Sequence, residues 1–222
     1  MNHDVVLAEI QREKLVAILR GVPGDKLDGV VEALIRGGVR ILELTFDHAG
    51  EADVEKNAEK IRHTVETYGH QIRVGCGTAL SVAEVEATRQ AGGCLVITPN
   101  TNVNVIRRAR ELDMVAMPGA LTPTEIEAAW RAGADIVKLF PAGELGLGYI
   151  KAVRGPLGFI PMSAVGGVKP ENVAEFLNAG VCGFGVGGQL VLPSAVANGD
   201  YEAIYRRAKE FTDAISAWEA AK

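Results

Sequence analysis

The 222-residue sequence has little cysteine and few aromatic residues: it contains three cysteines, and aromatic residues make up 5% of it. Cys76, Cys94 and Cys182 are widely spaced and form no CxxC pair, which argues against a disulfide framework or a cysteine zinc site and indicates a reducing cytoplasm. The four histidines lack the HxH or HExxH spacing of metal ligands. We therefore expect no bound metal and no cofactor.

Long apolar runs and basic clusters are also missing. No apolar run approaches the roughly 18 residues that indicate a membrane span, and the first residues lack the pattern of a signal peptide. The formal net charge is −5, from 23 Lys and Arg against 28 Asp and Glu, and no block of five basic residues occurs. We expect a small-molecule partner, with neither nucleic acid nor a membrane as the main partner.

The sequence does contain a regular alternation of short apolar runs and amphipathic segments. Eight runs are typical of buried parallel strands, at 15–19, 41–46, 72–78, 94–98, 115–120, 136–140, 159–165 and 182–187. Alternating strands and helices predict a parallel sheet, and eight such units predict a closed (β/α)8 TIM barrel. We predict one domain over 1–222, with flanking helices at about 4–13 and after 200. An open doubly wound sheet is the alternative, although no GxGxxG motif follows the first strand.

Two charged residues lie inside otherwise apolar strands, near the carboxyl ends where such barrels hold their active sites. Glu43 is in ILELTF and Lys138 is in IVKLF. The two could simply neutralise each other inside the barrel. Burial, however, lowers the pKa of a lysine and favours the free amine that attacks a carbonyl, while a nearby carboxylate can move protons. Lys138 and Glu43 are therefore the candidate catalytic residues.

The other candidate site residues lie at the ends of the predicted strands or in the turns that follow them. Glycine-rich turns after strands seven and eight, AVGGV and GVGGQ, occupy the usual phosphate position of this barrel. His48 is the one histidine that could lie near the mouth, whereas Cys76 has no matching histidine base and is expected to pack in the core. The remaining strand-end polar residues are Arg20, Thr45, Thr78, Thr98 and Ser163.

The motifs AILRG, LELTF, VGCGTAL, ITPN, MPGALTPTE, KLFPAG and SAVGGVKPENV resemble, in this order and spacing, the 2-keto-3-deoxy-6-phosphogluconate / 4-hydroxy-2-oxoglutarate (KDPG/KHG) aldolases. The likeness runs from about Leu15 to Leu190. It implies a metal-free class I (Schiff-base) aldolase, a (β/α)8 barrel that assembles as a homotrimer. Such an enzyme splits a 2-keto-3-deoxy-6-phospho sugar acid into pyruvate and glyceraldehyde 3-phosphate.

The resemblance also implies residue roles. Lys138 would form the Schiff base, and Glu43 would be the general acid/base. Thr78 would contact the pyruvate carboxylate, and Arg20 the anionic end of the ligand. The residues that would form the pocket walls and the phosphate loops are Pro118, Phe140, Gly166, Gly167, Gly187 and Gly188.

Three positions depart from the family pattern and bear on the substrate. Asp47 stands where some members have an arginine, Val165 where many have a threonine, and Gly188 where a serine is common. The AVGGV form resembles the 2-keto-3-deoxy-6-phosphogalactonate branch, so a substrate of gluconate or galactonate type is expected. The alternatives are a 4-hydroxy-2-oxoglutarate aldolase giving pyruvate and glyoxylate, a phosphosugar isomerase or epimerase, and a non-catalytic sugar-acid-binding barrel.

Overall fold

Nine parallel strands alternate with helices along residues 2–48, 50 and 53–222, the part of the chain that the computed structural model describes. The strands are β1 (Leu15–Leu19), β2 (Ile41–Thr45), β3 (Arg73–Gly77), β4 (Leu95–Ile97), β5 (Val115–Met117), β6 (Gly119–Ala120), β7 (Val137–Leu139), β8 (Met162–Val165) and β9 (Gly183–Val186). They pair in the order β5-β4-β3-β2-β1-β9-β8-β7-β6. This arrangement confirms the (β/α)8 barrel.

The two ends of that order, β5 and β6, are halves of the single strand predicted at 115–120. Pro118 lies between them and has no N–H to donate to a sheet ladder. The carbonyl of Pro118 still accepts the backbone N–H of Lys138 at 2.8 Å, and the N–H of Gly119 donates to Oγ1 of Thr98 at 3.3 Å. The prediction of one continuous fifth strand was therefore wrong in detail. Because the halves adjoin at Pro118, the chain itself closes the ring, and the open-sheet alternative does not hold.

The helices surround the strands. They are α1 (His3–Glu13), α2 (Gly24–Arg36), α3 (Asp53–Tyr68), α4 (Val82–Gln90), α5 (Val103–Glu111), α6 (Pro123–Ala132), α7 (Ala142–Leu157, kinked at Gly146), α8 (Val173–Asn178, after a 3-10 turn), α9 (Pro193–Asn198) and α10 (Tyr201–Ala220). Capping boxes at Ser81 and Thr122 satisfy the first N–H groups of α4 and α6. None of the described helices is long and apolar enough to cross a membrane.

Helix α1 packs against the interior of the barrel at the amino ends of the strands, as the predicted flanking helix. Its residues Val6 and Ile10 are buried in one cluster with Val16, Ile41 and Ile136 of the barrel interior. This apolar packing fills the lower part of the barrel. Because strand side chains alternate, the next inward positions above Ile41 and Ile136 are Glu43 and Lys138, which places both charges toward the carboxyl ends.

Candidate active site

Lys138 and Glu43 are both buried inside the barrel. Lys138, in the middle of β7, is 5% exposed, and Glu43, in β2, is 1% exposed. Neither carboxylate oxygen of Glu43 has a hydrogen-bond partner among the described residues. The two residues are therefore not a mutually satisfied structural pair, and their polar atoms remain available for a ligand.

Burial shifts the pKa of each group in the direction that favours its neutral form. It raises the pKa of Glu43 to about 6, against the opposing effect of the positive charges of Lys138 and Arg20. It also lowers the pKa of Lys138, an effect that the negative charge of Glu43 opposes and the positive charge of Arg20 reinforces. A lysine with a lowered pKa supplies more free amine, the form that attacks a carbonyl. A carboxyl group with a pKa near 6 can both accept and return protons near neutral pH.

Gly77 sets the direction of the Glu43 side chain. Gly77 lies in β3, opposite Thr45 of β2. A Cβ atom at position 77 would lie 1.7 Å from Oε1 of Glu43, far inside van der Waals contact, so the carboxylate occupies the space that any other residue would need. Sequence reasoning did not identify Gly77, because a glycine within GCGT gives no sign of which neighbour requires it.

The surroundings of Lys138 combine an aromatic wall with a buried hydroxyl. The Phe140 ring centroid lies 5.3 Å from Nζ of Lys138, and Phe140 is 40% exposed, so the ring contacts both the surroundings of the amine and solvent. Ser163 of β8 is the register partner of Lys138. Its buried Oγ has no hydrogen-bond partner within the described part of the chain. Pro118 is adjacent through the backbone bond already described.

Arg20 and Thr78, both predicted to contact the ligand, are brought together beyond the ends of β1 and β3. Nη2 of Arg20 donates to Oγ1 of Thr78 at 3.2 Å. Thr78 has a φ of +55°, and such a conformation costs about 1–3 kcal/mol for a residue other than glycine. The carbonyl of Thr78 lies 2.8 Å from Nε2 of His48. His48, which the sequence placed only near the mouth, thus contacts a predicted ligand-binding residue.

The predicted phosphate loops line one cavity of about 270 Å³. Its lining consists of Gly166, Gly167, Val168, Gly185, Val186, Gly187, Gly188 and Gln189. None of these eight residues is cationic, so an anion there would depend on backbone N–H groups. A Cβ atom at Gly167 would lie 2.7 Å from Cα of Gly143, which shows how closely this loop packs against the start of α7.

Several other strand-end residues have structural roles. The Thr98 hydroxyl bonds both the Asn100 carbonyl and the Gly119 N–H, which joins β4 to β6. The Thr45 hydroxyl donates to the Leu19 carbonyl at 3.4 Å. Cys76 is fully buried, and its burial raises the pKa of the thiol to about 12, which agrees with the predicted packing role. No three His, Cys, Asp or Glu side chains within 2–48, 50 and 53–222 are grouped as a metal site requires.

The model of the aldolase family described as KDPG and KHG aldolase matches residues 6–207. The chain belongs to this family. An Escherichia coli relative, 2-dehydro-3-deoxy-6-phosphogalactonate aldolase, is 38% identical over 79% of this chain and 83% of its own. The 2-dehydro-3-deoxy-phosphogluconate aldolase of Pseudomonas aeruginosa is 32% identical, over 82% of this chain and 80% of its own.

The fold of this KDPG/KHG aldolase family member also matches a solved structure. A native KDPGal structure aligns with a TM-score of 0.83 and 34% identity, covering 93% of this chain and 96% of the other. Since these relatives are named aldolases, the chain is a lyase. Family membership favours the aldolase over the isomerase, epimerase and non-catalytic alternatives.

Proposed function

We propose that this family member is a class I aldolase that cleaves a 2-keto-3-deoxy-6-phospho sugar acid to pyruvate and glyceraldehyde 3-phosphate. The observation that carries the proposal is the buried Lys138, whose pKa is lowered by burial and whose Nζ lies 5.3 Å from the ring centroid of Phe140. The family match and the names of the relatives support the same reaction.

In the proposed mechanism the Lys138 amine adds to the C2 ketone, and loss of water gives an iminium ion. The C3–C4 electron pair then moves toward the positive nitrogen as the bond breaks. Glu43 accepts the proton of the C4 hydroxyl, so that the aldehyde leaves and an enamine remains. Glu43 returns a proton to C3 of the enamine, and water hydrolyses the resulting iminium to release pyruvate and the Lys138 amine.

Borohydride reduction in the presence of pyruvate tests this proposal. A class I aldolase should gain one stable pyruvate-derived mass per chain, and peptide mapping should place it on Lys138. Chains treated with borohydride alone, or with pyruvate alone, are the controls. Mass on a different lysine, or no added mass at all, would contradict the Schiff-base assignment.

A second candidate is the cleavage of 4-hydroxy-2-oxoglutarate to pyruvate and glyoxylate. The lining of the glycine cavity contains no cationic residue. This supports the second candidate, because 4-hydroxy-2-oxoglutarate carries no phosphate. Asp47, in place of the arginine of some members, also leaves Arg20 as the proposed anion ligand. The ratio of kcat/KM for the phosphorylated and the unphosphorylated substrate decides between the two.

Within the sugar-acid class, we propose that the galactonate-type epimer is accepted at least as well as the gluconate type. The motivating residue is Val165, buried at the end of β8 beside Gly185; a Cβ atom at 185 would lie 2.9 Å from Cγ2 of Val165. Valine has the shape of threonine without its hydroxyl, so it offers no hydrogen bond to a substrate hydroxyl. The galactonate name of the Escherichia coli relative agrees with this preference.

Val165→Thr should therefore shift the ratio of kcat/KM toward the gluconate-type epimer by about tenfold, the effect of one added hydrogen bond in a buried site. Steady-state assays with both epimers measure the ratio. Val74→Thr, an equally buried change in β3 that faces the helices, is the matched control and should leave the ratio unchanged. A ratio that Val165→Thr does not alter would reduce Val165 to a packing role.

The assembly and location of the protein remain part of this proposal. We propose a homotrimer because the family resemblance implies one. Light scattering should then give a particle mass equal to three chains.

We also propose a reducing, cytoplasmic location, which the unpaired cysteines Cys76, Cys94 and Cys182 support. Residues 1–222 are proposed to act as one aldolase domain.

A further inference from the structure

His48 lies between two oxygen acceptors just beyond the end of β2. Its Nε2 is 2.8 Å from the carbonyl oxygen of Thr78, and its Nδ1 is 3.4 Å from Oε1 of Glu84. A carbonyl oxygen can only accept a hydrogen bond, so Nε2 carries a proton and donates it. The imidazole ring therefore connects the loop after β2 to the loop after β3 and to the first turn of α4.

Both sides of this connection are anchored by further hydrogen bonds. The backbone N–H of His48 donates to Oδ2 of Asp53 at 2.9 Å. Glu84 is buried, and its Oε2 accepts the backbone N–H of Ser81 at 2.8 Å as part of the capping box of α4. The backbone of His48 is thus held by Asp53, and the carboxylate beside the ring is itself held by the start of α4.

The His48 side chain donates its hydrogen bond to the backbone carbonyl of Thr78. A β-branched residue adopts a φ of +55° only where surrounding contacts maintain it. The His48 bond restrains the Thr78 carbonyl, and in this conformation the Thr78 hydroxyl lies 3.2 Å from Nη2 of Arg20. Without the His48 bond, the backbone of Thr78 loses a contact that opposes its relaxation to a negative φ, which would redirect the hydroxyl.

We propose that His48 is a positioning residue for the carboxylate of the 2-oxo acid, acting through the Thr78 carbonyl. The His48 bond keeps the Thr78 hydroxyl and the Arg20 guanidinium in the arrangement that receives the carboxylate. The proposal rests on the proposed function and on the roles that the family resemblance implies, in which Thr78 contacts the pyruvate carboxylate and Arg20 the anionic end of the ligand. Lys138 lies on β7 and makes none of these contacts, although the charge of Arg20 contributes to its lowered pKa. A displaced Arg20 would therefore change the reactivity of the amine toward every ketone alike, whereas loss of the carboxylate site would affect only a 2-oxo acid.

The experiment compares how fast borohydride traps two ketones on Lys138 at subsaturating concentration. Pyruvate has the carboxylate, whereas hydroxyacetone forms the same kind of iminium without it. His48→Ala should slow trapping of pyruvate by about tenfold relative to trapping of hydroxyacetone, the effect of losing one positioned hydrogen-bonding contact. His48→Gln, whose amide N–H can reach the Thr78 carbonyl, should recover most of the loss.

His63→Ala is the matched control, because it removes a histidine that contacts the Asp28 carboxylate at 2.8 Å on the outer helices. It should trap both ketones at the wild-type rate. Equal slowing of both ketones by His48→Ala, no slowing of either, or the absence of rescue by His48→Gln would overturn the positioning role alone. Wild-type protein that traps neither ketone on Lys138 would overturn the proposed function, and this proposal with it.

Discussion

Lys138→Arg is expected to abolish aldol cleavage, with a loss of turnover greater than about 10⁴-fold. Arginine keeps the positive charge at this position but remains protonated and cannot form an imine. Lys138→Met should be equally inactive, because it keeps an unbranched apolar stem and removes the amine. Cleavage measured by coupled detection of pyruvate gives the turnover of both variants.

The arginine variant also separates the Schiff-base role from a purely electrostatic one. If Lys138 only stabilised a negative charge, as in an isomerase or epimerase, arginine would preserve much of the activity. Substantial turnover by Lys138→Arg would therefore contradict the covalent mechanism. Lys151→Arg, on the exposed face of α7, is the matched control and should retain wild-type turnover, and thermal unfolding of each variant reports whether the barrel still folds.

Glu43→Gln is expected to lower turnover by about 10²–10⁴-fold, the usual contribution of a general acid–base residue. The amide fills the same space above Gly77 but cannot accept the proton of the C4 hydroxyl. Pyruvate should still form a Schiff base on Lys138 in this variant, although more slowly, because the amine is intact. Turnover lowered by this much, together with continued borohydride trapping, would thus assign proton transfer to Glu43.

The pH dependence gives an independent measurement of the same role. Burial raises the pKa of Glu43 to about 6, and the base must be ionised to act. Turnover at saturating substrate, where Lys138 is already in the covalent adduct, should therefore fall as the pH drops below about 6. Glu43→Gln should lose this dependence on acid pH, whereas Glu175→Gln, on the exposed face of α8, should keep it. Unchanged turnover in Glu43→Gln would remove Glu43 from the mechanism.

The barrel and the two central residues could be predicted from the sequence because they depend on local patterns. A buried parallel strand needs a short apolar run, and the eight such runs, separated by helical segments, required a ring of βα units. A charge inside such a run has a large desolvation cost, so Lys138 in IVKLF and Glu43 in ILELTF stood out without any knowledge of their neighbours.

The tertiary structure alone decided the features that depend on contacts between distant segments. The division of the fifth strand at Pro118 follows from how the ring closes between β5 and β6, which an apolar run cannot reveal. The need for glycine at 77 arises from the Glu43 side chain of the neighbouring strand. The bond from His48 to Thr78 joins residues 30 positions apart and depends on a backbone angle, the positive φ of Thr78. Composition and periodicity constrain which face a residue occupies, but only the folded chain fixes which atoms on that face meet.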